Sequence, residues 1–333
     1  MIKLAIDVMG GDYAPEEIVK GVNLAINKYK DIELTLFGDE KEINKYLTVK
    51  ERVNIVNAPK KLDMGEKDPI STIRKNKDLS MVQAFTHVHD KLSDGAVTAG
   101  PTQGAIVAAH LIVRRIPGMK RVALCPILPY FEGKNRLLLD VGANTDIKAE
   151  HVLQHAQFAS VYLRGTKNIE RPIVGLLNIG TEPGKGRELE QELFNLLSND
   201  SSINFAGNIE PKELLTTECD ILVTDGFSGN LVMKTMEGTA KALGGALKEE
   251  IGRNILGKIG YIFMKNNLKK FKKRLNADEV GGALIFGVDG IIVKAHGSSS
   301  AYAFMRAIRQ ARLAVLGNVV SIMKESLVSK NED

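Results

Sequence analysis

The chain has 333 residues, 44% hydrophobic, 26% charged and 5% aromatic, a balance that excludes disordered and collagen-like chains and allows a full core. No apolar run reaches the roughly 18 residues of a membrane span, because His110 and Asp289 interrupt the longest stretches. The formal charge of +5 and two distant cysteines, Cys125 and Cys219, with no C-x-x-C, leave no general nucleic-acid surface, disulfide framework or thiolate metal site to expect.

The chain alternates strand and helix from its start. Residues 2–6, 33–37 and 53–56 are short β-rich runs, separated by helical patterns after Pro15 and Asp39. Asp7 and Asp12 stand where an export signal would be apolar, so a cytoplasmic location is expected. The rhythm continues with a strand at 96–98, a helix over 102–115, strands at 122–126 and 136–139, and a helix over 148–164. Strands follow at 173–177, 203–206 and 221–224, with a helix over 187–197 and another after Ser228. A strand at 290–294 and a helix over 301–316 close the pattern. Such alternation predicts a mainly parallel sheet covered on both faces, one continuous α/β body.

Residues 251–276 interrupt it. They hold Arg253, Lys258, Lys265, Lys269, Lys270, Lys272, Lys273 and Arg274 with no Asp or Glu, and the rest of the chain is slightly acidic. Apolar residues Ile255, Ile259, Ile262 and Phe263 form one stripe, and Met264, Leu268 and Phe271 form another. The stripes point in different directions, so two protruding amphipathic helices with a break near Asn266-Asn267 are expected. Apolar stripe plus lysines suits an anionic membrane surface or an acidic protein. A helical hairpin packed in a dimer is the competing reading.

In open α/β sheets ligands bind beyond the carboxyl ends of the strands. Six glycine-containing loops follow strands here, at 7–12, 98–104, 140–144, 180–186, 225–230 and 294–299. Converging on one edge, they would form a pocket of backbone amides and helix N-termini for phosphate or another anion. The expected phosphate or substrate contacts are Asp7, Gly10, Gly11, Asp12, Gly100, Thr102, Gly142, Asn144, Gly180, Thr181, Asp225, Gly226, Ser228, Gly229, Lys294 and Ser298. The 180–186 loop is not a P-loop: its spacing is one residue short, and Gly186 replaces the magnesium-holding Ser or Thr. Lys185 among these glycines is a candidate anion contact. His296, between an apolar run and two serines, is a candidate acid/base or anion donor. His151 and His155 stand four apart on a helix, but no Glu follows the first as a zinc hydrolase needs, so no metal is expected.

Five stretches carry a resemblance that spans nearly the whole chain: AIDVMGGDYAP (5–15), LLLDVGANTD (137–146), VGLLNIGTEPGKG (174–186), DILVTDGFSGNLVMKTMEG (220–238) and IVKAHGSSSAYAFMRAIRQAR (292–312). Together they resemble the phosphate acyltransferases of bacterial phospholipid synthesis. The resemblance implies a Rossmann-like three-layer fold related to phosphotransacetylase and isopropylmalate dehydrogenase, a homodimer, no metal or other cofactor, and peripheral attachment to the inner face of the cell membrane. It implies acyl-acyl carrier protein (acyl-ACP) and inorganic phosphate as substrates and acyl-phosphate as product, feeding glycerol-3-phosphate acylation. Pro101 and Gln103 depart from the family's usual loop, which carries Asn and Gly there.

This chemistry needs no protein nucleophile, because a phosphate oxygen attacks a thioester directly and a thiolate leaves readily. Lys185 is then expected to neutralise phosphate or the oxyanion, Asn230 to donate to the thioester oxygen, and His296 to orient phosphate or accept its proton. Ile255, Ile259, Ile262, Phe263, Lys258, Lys269, Lys270 and Lys273 are the expected membrane or ACP contacts. Two other readings compete: a decarboxylating dehydrogenase using NAD or NADP, which would need an acidic metal-binding set, and a non-catalytic membrane-associated scaffold of lipid synthesis.

Overall fold

A computed structural model describes residues 1–129, 135–275 and 281–329. The first half alternates β1 (Ile2–Asp7), α1 (Glu16–Lys28), β2 (Ile32–Gly38), α2 (Glu40–Tyr46), β3 (Val53–Asn57), α3 (Pro69–Lys75), α4 (Ser80–His89), β4 (Gly95–Thr98) and α5 (Thr102–Ala108). A π-helical turn, Ala109–Val113, leads to β5 (Ala123–Pro129) and β6 (Asn135–Leu139). Then come α6 (Ala149–Lys167), β7 (Ile173–Leu177), α7 (Glu188–Asn199), β8 (Asn204–Ile209), β9 (Ile221–Val223), α8 (Gly226–Gly252) and α9 (Ile255–Leu275). The chain ends with β10 (Ala283–Phe286), β11 (Ile291–Lys294), α10 (Ala301–Leu316) and α11 (Val319–Ser329).

Among the described residues the strands form one sheet, in the order β3-β2-β1-β4-β11-β10-β5-β6-β9-β7-β8. Both faces are buried, and the period-2 geometry of a strand divides its side chains between them. Leu4 and Ile6 pack with α1, α6 and α10 residues such as Val22, Phe158 and Phe304. Ala5, Ala96 and Ile292 point the other way, onto Val82, Phe85 and Ala105 of α4 and α5. This is the expected three-layer α/β body.

Direction within the sheet differs from a simple parallel reading. β10 runs antiparallel to both β11 and β5, and β5 runs antiparallel to β6. Strands β1, β2, β3, β4, β11 and β5 therefore point one way, and β6, β7, β8, β9 and β10 point the other. The expectation that all six loops share one edge is corrected: those after β1, β4 and β11 open on one edge, those after β6, β7 and β9 on the opposite edge. β10 was not foreseen, because its short apolar run carries no alternation to distinguish it from the stretch that continues into β11.

The protrusion is larger than 251–276. From Gly238 onward nearly every residue of α8 is exposed, and α9 continues the exposure to Phe271. The two helices form a hairpin that turns at Arg253-Asn254, where Asn254 Oδ1 accepts the Gly257 amide at 2.7 Å and starts α9. The expected break at Asn266-Asn267 is corrected, because α9 runs unbroken through both residues. Asn is a middling helix former rather than a breaker. Ile255, Ile259, Ile262 and Phe263 are all exposed, Phe263 at 82%, as are Lys258, Lys269 and Lys270. The side chain of Lys273 lies outside the described residues. No helix among those described is long and apolar enough to cross a membrane.

Candidate active site

On the first edge, Asp7 closes β1 and is buried. Its carboxylate accepts the hydroxyls of Ser80 and Thr98, each at 2.6 Å, and the amides of Met9 and Gly10. Burial pushes its pKa up, while these four bonds act in the opposite sense. Thr98 Oγ1 accepts the Gly100 amide at 2.9 Å, tying the second loop to the first. The third loop joins through Asp12, whose amide donates to Gly297 O at 2.8 Å. Pro101 is buried at the start of α5, with Thr102 and Gln103 exposed beside it.

Lys294 stands at the end of β11, 7% exposed. Its ammonium donates to the carbonyls of Ala295 and, at 3.5 Å, Ala99. Burial drives its pKa down to about 8, the charges of Asp12 and Asp7 oppose that, and Lys234 adds to it. His296 is exposed and its Nδ1 accepts the Ser298 amide at 3.2 Å. Ser298 Oγ lies 2.9 Å from the same nitrogen, so Nδ1 is turned to Ser298 and Nε2 is the ring nitrogen that faces away.

On the second edge, Asp140 is the counterpart of Asp7. It is fully buried and accepts the amides of Leu124 (2.9 Å), Ala143 (3.1 Å) and Asn144 (2.7 Å), plus Asn144 Nδ2 at 2.8 Å. Asp225 caps α8 by accepting the Ser228 amide at 2.8 Å, and its other oxygen takes the Ser228 hydroxyl and an ion pair with Arg187. Arg187 also pairs with Glu190. Burial raises the Asp225 pKa, but its hydrogen bonds and Arg187 outweigh that and leave it lowered. Lys185, exposed in the intervening loop, lies against Gly180, and its carbonyl accepts Asn178 Nδ2 at 3.1 Å.

Eight of the expected contacts prove to be framework. Asp7, Asn144, Asp225 and Ser228 spend polar side-chain atoms on the bonds above, and Gly10, Gly100, Gly226 and Gly229 spend their amides on Asp7, Thr98, Asn144 and Asp225. Buried polar groups must be satisfied, and here the chain satisfies its own. The glycines at the start of α8 serve close approach instead: a Cβ on Gly226 would lie 2.3 Å from Asn144 O, and one on Gly229 would lie 2.0 Å from Asp140 O.

The expected residues outside this framework are Lys294, His296, Ser298, Gly11, Asp12 and Thr102 on the first edge, and Lys185, Asn230, Gly142, Gly180 and Thr181 on the second, with Ser298 turned to His296 Nδ1 through its hydroxyl at 2.9 Å and its amide at 3.2 Å. Helix α8 joins them. It begins among the second set with Asn230 exposed, and Lys234, one turn on along the same face, is near enough for its charge to bear on Lys294 of the first set. A cationic site that also offers an amide donor suits transfer between an anion and a neutral carbonyl. Cys125 and Cys219 are both buried, burial raising each thiol's pKa.

The family description "Fatty acid synthesis protein" matches residues 2–322. The phosphate acyltransferase of Acholeplasma laidlawii is 52% identical over 334 residues, covering all of both chains. The chain belongs to the phosphate acyltransferase family. That of Staphylococcus aureus strain MRSA252 is 45% identical over 332 residues, again covering all of both. Membership makes this chain an enzyme, an acyltransferase. Among solved structures, the EutD phosphotransacetylase of Staphylococcus aureus has a TM-score of 0.58 at 14% identity, covering 95% of this chain and 94% of that one. The 4-hydroxythreonine-4-phosphate dehydrogenase of Klebsiella pneumoniae gives 0.52 at 12%, covering 94% and 99%. Both show the same fold as this enzyme.

Sequence reasoning missed Asp140, Arg187 and Ser80. The first had a signal: Asp7, Asp140 and Asp225 each follow an apolar strand and precede a glycine loop. Ser80 had none, because Asp7 is distant in sequence, and Arg187 had only its pairing with Glu190 three residues on, which says nothing of Asp225. His155, paired with His151 in the sequence, is buried with Nε2 at 3.2 Å from Arg121 O, and burial lowers its pKa to about 4. Among the described residues no three of His, Cys, Asp and Glu group as metal ligands.

Proposed function

We propose that this enzyme transfers the acyl group of acyl-ACP to inorganic phosphate. An oxygen of hydrogen phosphate bonds to the thioester carbon, the C–S bond breaks, and the carrier's thiolate leaves as a thiol, the proton that phosphate gives up balancing the one the thiolate takes. The product is acyl-phosphate, an activated acyl donor for glycerol-3-phosphate acylation. The observation that carries this reading is α8, which starts beside the second set of loops with Asn230 in its first turn and carries Lys234, one turn further on, within range of the charge of Lys294 in the first set. Asn230 donates to the carbonyl oxygen as it becomes an oxyanion, and Lys185 and Lys294 hold the phosphate charge. With Nδ1 turned to Ser298, His296 meets phosphate through Nε2.

The exposed apolar and basic residues of the α8–α9 hairpin support peripheral attachment to the cytoplasmic membrane face. Each lysine near an anionic surface adds about 1 kcal/mol. Exposed Leu243 and Leu247 on α8 support a homodimer. The deciding experiment is acyl-phosphate formation by purified protein from palmitoyl-ACP and inorganic phosphate with chelator present. Turnover is expected; a folded protein that makes no acyl-phosphate from any acyl-ACP sinks the reading.

A further inference from the structure

Between the π-helical turn and β5 the chain carries four cations in eight residues: Arg114, Arg115, Lys120 and Arg121. Arg114 has φ 69° and ψ 163°, a conformation that L side chains rarely adopt. Its neighbours hold it there: the Arg114 carbonyl accepts the Asp289 amide at 2.8 Å, and the Ile116 amide donates to Gly287 O at 3.0 Å. Strained backbone next to a π-helical turn is a recurrent mark of functional segments. The side chains it presents are exposed, and a cavity of about 360 Å³ opens between His110, Arg114, Arg115 and Met119.

The cations form one field. Burial, then the charges of Arg115 and Arg121, push the pKa of His110 down. His151 is lowered chiefly by burial, with Arg121, Lys148 and Lys120 contributing and Glu150 opposing. Both histidines are therefore neutral near pH 7, and the charge belongs to the arginines and lysines. Of the adjacent carboxylates, Asp289 pairs with Lys91 and Lys324, while exposed Glu150 lies 3.3 Å from the His151 ring, which in its neutral form does not offset that charge. Among the described residues, Arg114, Arg115, Lys120, Arg121 and Lys148 have no carboxylate partner. Five cations around the single carboxylate of Glu150 leave a net positive, outward-facing electrostatic feature.

Position gives the patch its use. Residue 122, next to Arg121, accepts Asn144 Nδ2 at 2.6 Å, so the patch borders the loop whose Gly142 lies against Asn230. Exposed cations spread around a shallow opening suit the acidic surface of a protein better than a small anion, which would be held by buried groups. We infer that this patch docks the acidic carrier protein that delivers the thioester, seating it on the Asn230 side of the site and leaving the hairpin lysines free for other contacts. The inference rests on the proposed transfer from acyl-ACP.

The test compares Arg114→Glu/Arg115→Glu/Arg121→Glu with Lys258→Glu/Lys269→Glu/Lys270→Glu. Because Arg114 occupies a strained turn, Arg121→Glu/Lys148→Glu serves as a second patch variant that leaves that turn intact. Binding of fluorescent ACP is read by anisotropy, alongside KM for palmitoyl-ACP, KM for phosphate, kcat, and sedimentation with phosphatidylglycerol vesicles. The patch variants should raise Kd and KM for the carrier about tenfold or more. Their kcat, phosphate KM and vesicle binding should stay at wild-type values, and carrier binding by the wild type should weaken with added salt. The hairpin variant should bind the carrier normally. Unchanged carrier binding in folded patch variants, loss of carrier binding in the hairpin variant instead, or loss of vesicle binding in the patch variants would each overturn the inference. A wild type that binds ACP through the patch yet never turns over would instead count against the proposed transfer.

Discussion

Gly229→Ala tests whether the start of α8 must sit tight against the β6 loop. The added methyl would stand 2.0 Å from Asp140 O and 3.1 Å from Asp140 C, and a backbone carbonyl fixed by the sheet cannot swing away as a side chain would. Restoring ordinary contact requires the helix start to move by about 1.4 Å, carrying Asn230 with it. Two terms nearly cancel in stability: overpacking costs about 1–3 kcal/mol, and replacing a helical glycine by alanine returns about 1 kcal/mol. The melting temperature should thus fall by only a few degrees. Catalysis has no such compensation, since a misplacement of about 1 Å in a positioning group can cost about 100-fold, or about 2.7 kcal/mol of barrier. The assay is kcat for acyl-phosphate formation together with thermal unfolding, and Gly238→Ala is the control. A Cβ there meets nothing within 4 Å, so that variant should keep full activity and gain up to about 1 kcal/mol. Wild-type kcat in Gly229→Ala would refute the argument that this approach positions Asn230.

Lys185→Ala should lower turnover by orders of magnitude with unfolding unchanged, because the side chain is exposed and holds nothing in the core; near wild-type kcat removes it from the mechanism. Lys294, with its pKa depressed to about 8, is cationic below that pH and neutral above. If its charge holds phosphate, kcat/KM for phosphate should fall as pH rises through about 8, and Lys294→Arg should abolish that alkaline limb; an unmoved limb assigns it to another group. Replacing Ile255, Ile259 and Ile262 by Asp should release the protein from anionic vesicles while activity on soluble acyl-ACP persists. Loss of that activity would show that the hairpin serves docking or dimer packing.

The fold was legible where one segment decides its own structure. β1, β2 and β7 have the alternating or continuous apolar runs that two buried faces require, and the apolar period of α10 gave both its ends. Strand direction was not legible, because it depends on which strand β10 pairs with, and Ala283–Phe286 reads the same whichever way it runs. The same limit applies to the site. Residue type nominated Lys185, Asn230 and His296 as candidates, but it could not say which polar atoms remain free once the chain has folded. Asp7 and Asp140 illustrate this: each ends a strand before a glycine loop, only Asp7 was expected as a ligand, and both are consumed in anchoring the loops around them. Because the sheet reverses at its centre, these two buried carboxylates organise opposite edges. In the proposed transfer, groups from the two edges are linked by an element that leaves one edge and reaches toward the other. That element is α8, and its anchorage by Asp225, Arg187 and the two glycines makes the distance between Asn230 and Lys294 a property of the whole sheet rather than of any single loop.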